Sequence, residues 1–379
     1  MKKKLRDLKQ SILGLKPVLK FLKDDLTGFK GITFMGGFII LAFLTIILQL
    51  TGKLTFLDVI FLCLIFSMLG LAWNILGGYT GLISFGHMAF FGLGAYFTFA
   101  SAAGLPPFPF QLTPWVGLFL AGGLTALFAV LLGYPLLRLR SHWFSLGTIA
   151  IGEIMHYAFT EIGAWGAERG LLYGQYIATE RHFYFLYWPG AINYVWVTLA
   201  FLALEFFVLY ILLNGKLGFY LRSLRDNEMA AQALGINSFN NKMKALVVSA
   251  FFAAIAGGIY ALRFKYIDPF SSFTLIGKRV SSVRIAMVGI VGGIYYFIGP
   301  VIGSFIFIPL LEVLRMYVAP ILGERFVGFH VMTQGVVALI FALFASSGVV
   351  GTLEENDAWF EPRKYPKMLF TSEAERMEN

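Results

Sequence analysis

Apolar blocks, separated by short polar or glycine-rich stretches, dominate the chain from residue 34 to residue 348. A helix needs about 20 apolar residues to cross a hydrocarbon core. Blocks close to that length recur at 34–50, 56–76, 86–103, 114–136, 143–162, 192–213, 245–264, 285–298, 301–318 and 326–345. They are apolar on every face, whereas a transmembrane β-strand alternates apolar and polar over roughly ten residues. The pattern therefore predicts an all-α integral membrane protein, a polytopic helical bundle of eight to ten segments. Two segments are laced with glycine: the third, through Gly77, Gly78, Gly81, Gly86, Gly92 and Gly94, and the eighth, from Met287 to Gly293 and on to Gly299, Pro300 and Gly303. Interrupted segments at matching places in two halves are the pattern of transporters built from repeats, because unwound backbone survives in a membrane only where protein or a cavity satisfies it. Glycine also simply lets helices approach.

The largest polar island is the loop 214–244, between the sixth and seventh segments. Leu221, Leu224, Met229, Ala233 and Leu234 recur there at helical intervals among charges, and Glu228 to Ala231 followed by Gly235 reads as a short helix with a glycine stop. A compact helix with a small-residue face suits a groove on a soluble partner; an ordinary solvated loop is the plainer alternative. Residues 1–33 form a second polar region, with nine Lys and Arg in the first 30 positions and an apolar stripe of Leu5, Leu8, Ile12, Leu15, Leu19 and Leu22. Such a basic helix lies on anionic membrane lipid at the cytoplasmic face, unless it is a solvated tail. It shows no small-residue cleavage site of a secretory signal. The chain thus divides into this segment, a membrane domain at 34–348 and a tail at 349–379.

Composition agrees, with 58% apolar residues, 13% charged and a mean hydropathy of +0.75. That is about half the charge of a soluble protein. The net charge of +9 would suggest nucleic acid if it were spread over one soluble face. With the amino terminus inside, however, 20 of the 30 Lys and Arg fall on cytoplasmic stretches, so the charge reads as topology, with both termini inside. One stretch resists: Arg263, Lys265, Lys278, Arg279 and Arg284 fall near the outer face against Asp268 alone. It is either re-entrant or meets something acidic.

Ionisable groups within a bilayer cost about 2.5–3.5 kcal/mol by insertion scales and are functional candidates. Here they are Glu153, Glu205 and His87, with Glu312 and Arg315 three apart on one helical face. The one cysteine, Cys63, sits inside an apolar run, which leaves no disulfide and no cysteine metal site. No acids or histidines have metal-ligand spacing, no Ser/His/Asp arrangement stands out, and no Gly-x-x-x-x-Gly-Lys-Ser/Thr loop is present. The expectation is a chain that is not an enzyme and carries no cofactor, with any ATP hydrolysed on another subunit.

Three stretches resemble the LivM-type permease subunits of branched-chain amino-acid ABC importers, the LivH/LivM family. The first runs from Trp73 and Asn74 through Tyr79, Ser84, His87 and Gly92 to Tyr96; the second from Arg222 to Asn237; the third from Lys242 through Ser249, Gly257 and Gly292 to Gly303. The resemblance covers roughly 56–348. It implies that Glu228 to Gly235 is the helix that couples to the ATPase, with Arg222, Arg225, Asn227, Glu228, Ala230, Ala231 and Gly235 as coupling residues. Asn74, Tyr79, Ser84, His87, Tyr96 and Glu153 would belong to the translocation path. The implied partners are a LivH-like permease, two cytoplasmic ATPase subunits and an extracytoplasmic substrate-binding protein, at the cell inner (plasma) membrane. The sequence departs from the family pattern at Arg284, where an acid is usual, at 166–171, at Arg140-Ser141 and at Ser346-Ser347. Rival readings are a urea or short-amide permease of the same class, and an ion-coupled secondary transporter working through Glu153 and Glu205. Dependence of uptake on ATP or on an ion gradient separates the second from the first.

Overall fold

The computed structural model describes residues 54–108, 110–139, 141–175, 183–275, 279–318 and 348–356, with isolated positions in 41–49 and 332–339. The expected amino-terminal helix, most of segments 34–50 and 326–345, Lys278, Arg140, Ser346, Ser347 and most of the tail lie outside the described residues. The chain divides into two compact units, Met1–Ile60 and Phe61–Asn379. In the first, the described residues are helical at 41–47 and from Leu54 onward. All packing described below lies within the second.

The fold is helical throughout: α1 (Leu54–Gly77), α2 (His87–Ala103), α3 (Pro114–Leu136), α4 (Ser141–Glu161), α5 (Ile192–Asn214), α6 (Lys216–Asp226), α7 (Glu228–Ala233), α8 (Ser238–Phe264), α9 (Pro269–Phe273), α10 (Ser282–Gly292), α11 (Gly299–Val313) and α12 (Gly348–Asn356). A two-residue antiparallel ribbon pairs β1 (Leu171–Leu172) with β2 (Tyr266–Ile267). Five helices among the described residues are long and apolar enough to cross a membrane: Thr55–Gly77, Pro114–Leu136, Ile192–Asn214, Ser238–Phe264 and Gly299–Tyr317. The protein is an all-α polytopic membrane protein. Sequence-level blocks and helices agree closely at α2, α3, α4 and α5.

The centre of the bundle is α8, packed most heavily against α2 and α3. Small residues permit this. A Cβ on Gly94 would strike the backbone of Ala254, and one on Gly257 would strike the carbonyl of Phe91, so α2 and α8 meet backbone to backbone. Their seam is closed by Phe91 against Tyr260, with ring centroids 5.4 Å apart. The helix α8 also begins seven residues earlier than its apolar block, because Asn237 caps it by accepting from the Asn240 amide at 2.9 Å.

Both glycine-laced segments are interrupted. Between α1 and α2 the backbone unwinds over 78–86, and between α10 and α11 it unwinds over 293–298. The described part of the basic stretch folds back onto the bundle. After β2 the chain turns back into the bundle as α9, which packs on α2 and α4 and sets Phe273 against Tyr96 and Phe159, at 5.8 and 4.8 Å between centroids. Three of its cations lie against aromatic rings. Lys265 Nζ lies 3.8 Å from the centre of the Tyr187 ring, Arg263 faces Tyr194 and Phe264, and Arg279 lies over Phe264 at 4.8 Å. Buried Arg284 donates from Nη1 to the Arg279 carbonyl at 2.7 Å and lies within electrostatic reach of Glu312, which itself pairs with Arg315 at 2.5 Å.

Candidate functional site

The first interruption is held by buried polar side chains from four helices. Trp73 Nε1 donates to the Ser84 carbonyl at 2.7 Å, and the Phe85 amide donates to Thr148 Oγ1 of α4 at 3.0 Å. His87, fully buried, contacts Ser84 Oγ through Nδ1 at 3.0 Å and Ser249 Oγ of α8 through Nε2 at 2.8 Å. The Ser249 hydroxyl donates to the Ala72 carbonyl at 2.7 Å, so its oxygen must accept from the imidazole. Nε2 therefore carries a proton, which it donates to Ser249. The imidazole ties α1, α2 and α8 together, and both of its nitrogens are occupied within the bundle.

The two interruptions meet. Asn74 Nδ2, at the end of α1, donates to the carbonyl of Tyr296 at 3.1 Å, in the unwound stretch before α11. Of the six path residues expected from the sequence, Asn74, Tyr79, Ser84, His87 and Tyr96 are buried within the chain. Tyr96 stacks between Trp165 and Phe273, its hydroxyl without a hydrogen-bond partner. Glu153 alone faces outward, exposed on α4 beside Ile154 and Tyr157. Glu205 is fully buried in α5, and neither of its oxygens is hydrogen-bonded.

The polar loop folds into two short helices. Asn227 separates them and caps α7, its Oδ1 accepting from the Ala230 amide at 3.0 Å. The stop is Gly235, whose φ of +84° falls in the left-handed region where a side chain is strained. Between these ends α7 is latched to α8: Lys242 Nζ lies 2.7 Å from Glu228 Oε1, and the Ser238 hydroxyl donates to the same oxygen. Burial pushes the Glu228 carboxyl up, but the hydrogen bonds from Lys242 and Ser238 and the Lys242 charge outweigh it and hold the group below its ordinary value. Ala231 packs inward, whereas Met229 and Leu234 are 81% and 84% exposed. Met229 lies on α7 and Leu234 just past its end, so both present exposed apolar surface at this loop.

Arg225, on α6, joins this loop to both interruptions. Its Nη1 donates to the Gly78 carbonyl at 3.2 Å, its guanidinium lies 4.9 Å from the centre of the Tyr295 ring, and Asp226 holds its other edge at 3.0 Å. Gly78 belongs to the first unwound stretch and Tyr295 to the second. Arg222 lies beside it, 6.0 Å from the centre of the Tyr79 ring, and donates to the Leu213 carbonyl at 3.4 Å. Sequence reading singled out both arginines through their loop alone. The Tyr295 and Gly78 partners of Arg225 lie about 70 and 147 residues away along the chain, beyond the reach of any local pattern.

Residues 55–350 match the family described as the branched-chain amino acid transport system permease component. The chain belongs to that family. A high-affinity branched-chain amino acid transport system permease protein, LivM of Escherichia coli K12, is 29% identical over 278 residues, 68% of this chain and 63% of the relative. The LivM of Salmonella typhimurium is 32% identical over 237 residues, 57% of this chain and 54% of the relative. A nucleoside ABC transporter permease, NupC of Lactococcus lactis, is 25% identical over 194 residues, 47% of this chain and 57% of the relative. The matches thus span somewhat over half the length of each of these curated relatives. No solved structure matches the chain.

Proposed function

We propose that this protein is the membrane-spanning permease subunit of an ATP-binding-cassette importer for branched-chain or similar small amino acids. It lines the translocation path together with a second, LivH-like permease. Two cytoplasmic ATPase subunits drive it, an extracytoplasmic binding protein feeds it, and both of its termini are cytoplasmic in the inner membrane.

The observation that carries this reading is the position of Arg225. A permease without an ATP site needs a rigid connection from the surface that meets the ATPase to the helices that open and close. The exposed pair Met229 and Leu234 supplies the surface, the Glu228–Lys242 latch fixes it to α8, and Arg225 connects it to the unwound backbone at Gly78 and to Tyr295. Movement of α7 and α6 together would shift both interruptions at once, and these are the places where α1 and α10 can bend without breaking a helical ladder. Exposed Glu153 suits the same reading. An acid facing lipid costs about 2.5–3.5 kcal/mol, so the α4 face that carries it belongs against the second permease or the wet path between the two.

Uptake of labelled leucine into vesicles holding the assembled transporter tests the coupling role. Glu228→Arg, which opposes Lys242, and Gly235→Trp, which strains the stop, are expected to abolish ATP-driven uptake with membrane insertion intact. Arg225→Ala should lower uptake at least tenfold. Arg225→Lys should recover only part, because an ammonium cannot reproduce a planar guanidinium that donates to a carbonyl while lying over a ring. Uptake at the unmodified rate in all of these variants would refute the role.

A further inference from the structure

At the end of α8 opposite the docking helix lies a cavity of about 300 Å³, lined by Tyr260, Asp268, Phe270, Ser271 and Arg279 among others. The helix has 27 residues, which at 1.5 Å each separates the two features by about 40 Å, more than a bilayer core. The cavity is therefore on the outer side if α7 is inside. Its walls come from the end of α8, from α9 and from the residues just before α10.

The chemistry of this cavity is bipolar. One carboxylate, Asp268, and one guanidinium, Arg279, line it together, and Tyr260 lies within electrostatic reach of both. Both groups keep hydrogen-bonding capacity among the described residues. Asp268 caps α9, with Oδ1 accepting from the Ser271 amide at 2.8 Å and Oδ2 from the Ser271 hydroxyl at 2.6 Å. A carboxylate accepts about four hydrogen bonds, so capacity remains. Arg279 lies over Phe264, and its buried Nε has no hydrogen-bond partner. The Tyr96 hydroxyl, fully buried and also without a partner, lies within electrostatic reach of Asp268. The walls are otherwise aromatic: Phe270, 55% exposed, packs by its edge on His156 of α4, one turn from Glu153. The cavity thus borders the α4 face already assigned to the second permease.

We infer that this cavity is a substrate station that receives a zwitterionic α-amino acid, with Arg279 taking the carboxylate, Asp268 the ammonium, and Tyr260 and Phe270 the apolar side chain. The inference rests on the importer reading and narrows it. A guanidinium holds a carboxylate by paired hydrogen bonds, and an ammonium satisfies the free lone pairs of Asp268. Urea has neither charge, nor has a nucleoside, and either would leave the charges of Asp268 and Arg279 uncompensated. The volume is at the lower end of ligand pockets, the size class of a single small metabolite.

The test is the initial rate of tritiated leucine uptake into proteoliposomes that contain the complete transporter and its binding protein, normalised to assembled complex. Arg279→Gln and Asp268→Asn are each expected to reduce the rate tenfold or more. Arg279→Lys, which keeps a cation, should recover much of it. Asn caps a helix about as well as Asp, so Asp268→Asn removes the charge and keeps α9. Rates within twofold of the unmodified protein in both charge-removing variants would overturn the station and leave the importer reading standing. Uptake of urea or uridine, and not leucine, by the unmodified transporter would overturn the station together with the amino-acid substrate, whereas ATP dependence would still report an importer.

Discussion

Lys242 is buried and its partner Glu228 is nearly half exposed, so the latch between α7 and α8 is asymmetric. It is worth less than a buried pair, because solvent screens the exposed carboxylate. It still sets a pH dependence with a definite sign. The Glu228 carboxyl is held below its ordinary value, first against burial and then by Lys242 and Ser238. Stability from the latch is therefore complete above the ordinary carboxylate range, and falls away as pH drops through the depressed value of the folded protein. Amide hydrogen exchange in 228–235 should accelerate in that acid window. In Glu228→Gln it should be faster already at neutral pH and flat with acidity. An unchanged pH profile in the variant would assign the protection elsewhere. His87 shows what a single residue can conceal. Within a glycine-rich motif it is a candidate path residue, but its hydrogen bonds to Ser84 and Ser249 occupy both nitrogens, and Ser249 is 162 residues away in sequence.

Among the elements, the membrane helices were legible because their length and uniform apolarity follow from bilayer thickness alone. The ends of α3 coincide with its apolar block, where Pro114 opens it and Arg138 lies just past its close. The start of α8 was not legible, because Ser238 to Lys244 is too polar to read as membrane, although the Asn237 cap and inward-facing Asn241 and Lys242 continue the helix. The inward turn at α9 is not legible in the sequence, since the cations of 263–284 look like surface until Tyr187, Tyr194 and Phe264 are brought against Lys265, Arg263 and Arg279. The cavity was missed for the same reason: Asp268 was counted against the basic cluster as a lone acid, not as one half of a recognition pair. A testable consequence attaches to the α2–α8 seam. Gly257→Ala places a methyl on the Phe91 carbonyl and should cost about 1–3 kcal/mol or more of packing, seen as a lower melting temperature in detergent. Gly123→Ala has nothing within 4 Å of the new carbon and should be neutral. Equal melting temperatures would contradict the close seam.

At the scale of the whole molecule, α8 has the proposed docking helix α7 latched near one end and a charged cavity at the other. Two cysteine substitutions report which end is where, because Cys63 is buried and should not react. Phe270→Cys should be labelled by a membrane-impermeant maleimide added outside intact cells, and Leu234→Cys only after the membrane is opened. Labelling of both from outside would contradict the orientation drawn from the distribution of Lys and Arg. The central claim is that exposed Met229 and Leu234, at and just past α7, seat this chain on an ATPase. It is tested most directly by purifying the tagged protein in mild detergent, unmodified and as Leu234→Asp, and identifying what comes with it. The account predicts an ATPase and a second permease with the unmodified chain, and loss of the ATPase but not the permease with Leu234→Asp. A lone homo-oligomer, or full retention of the ATPase by the variant, would contradict it.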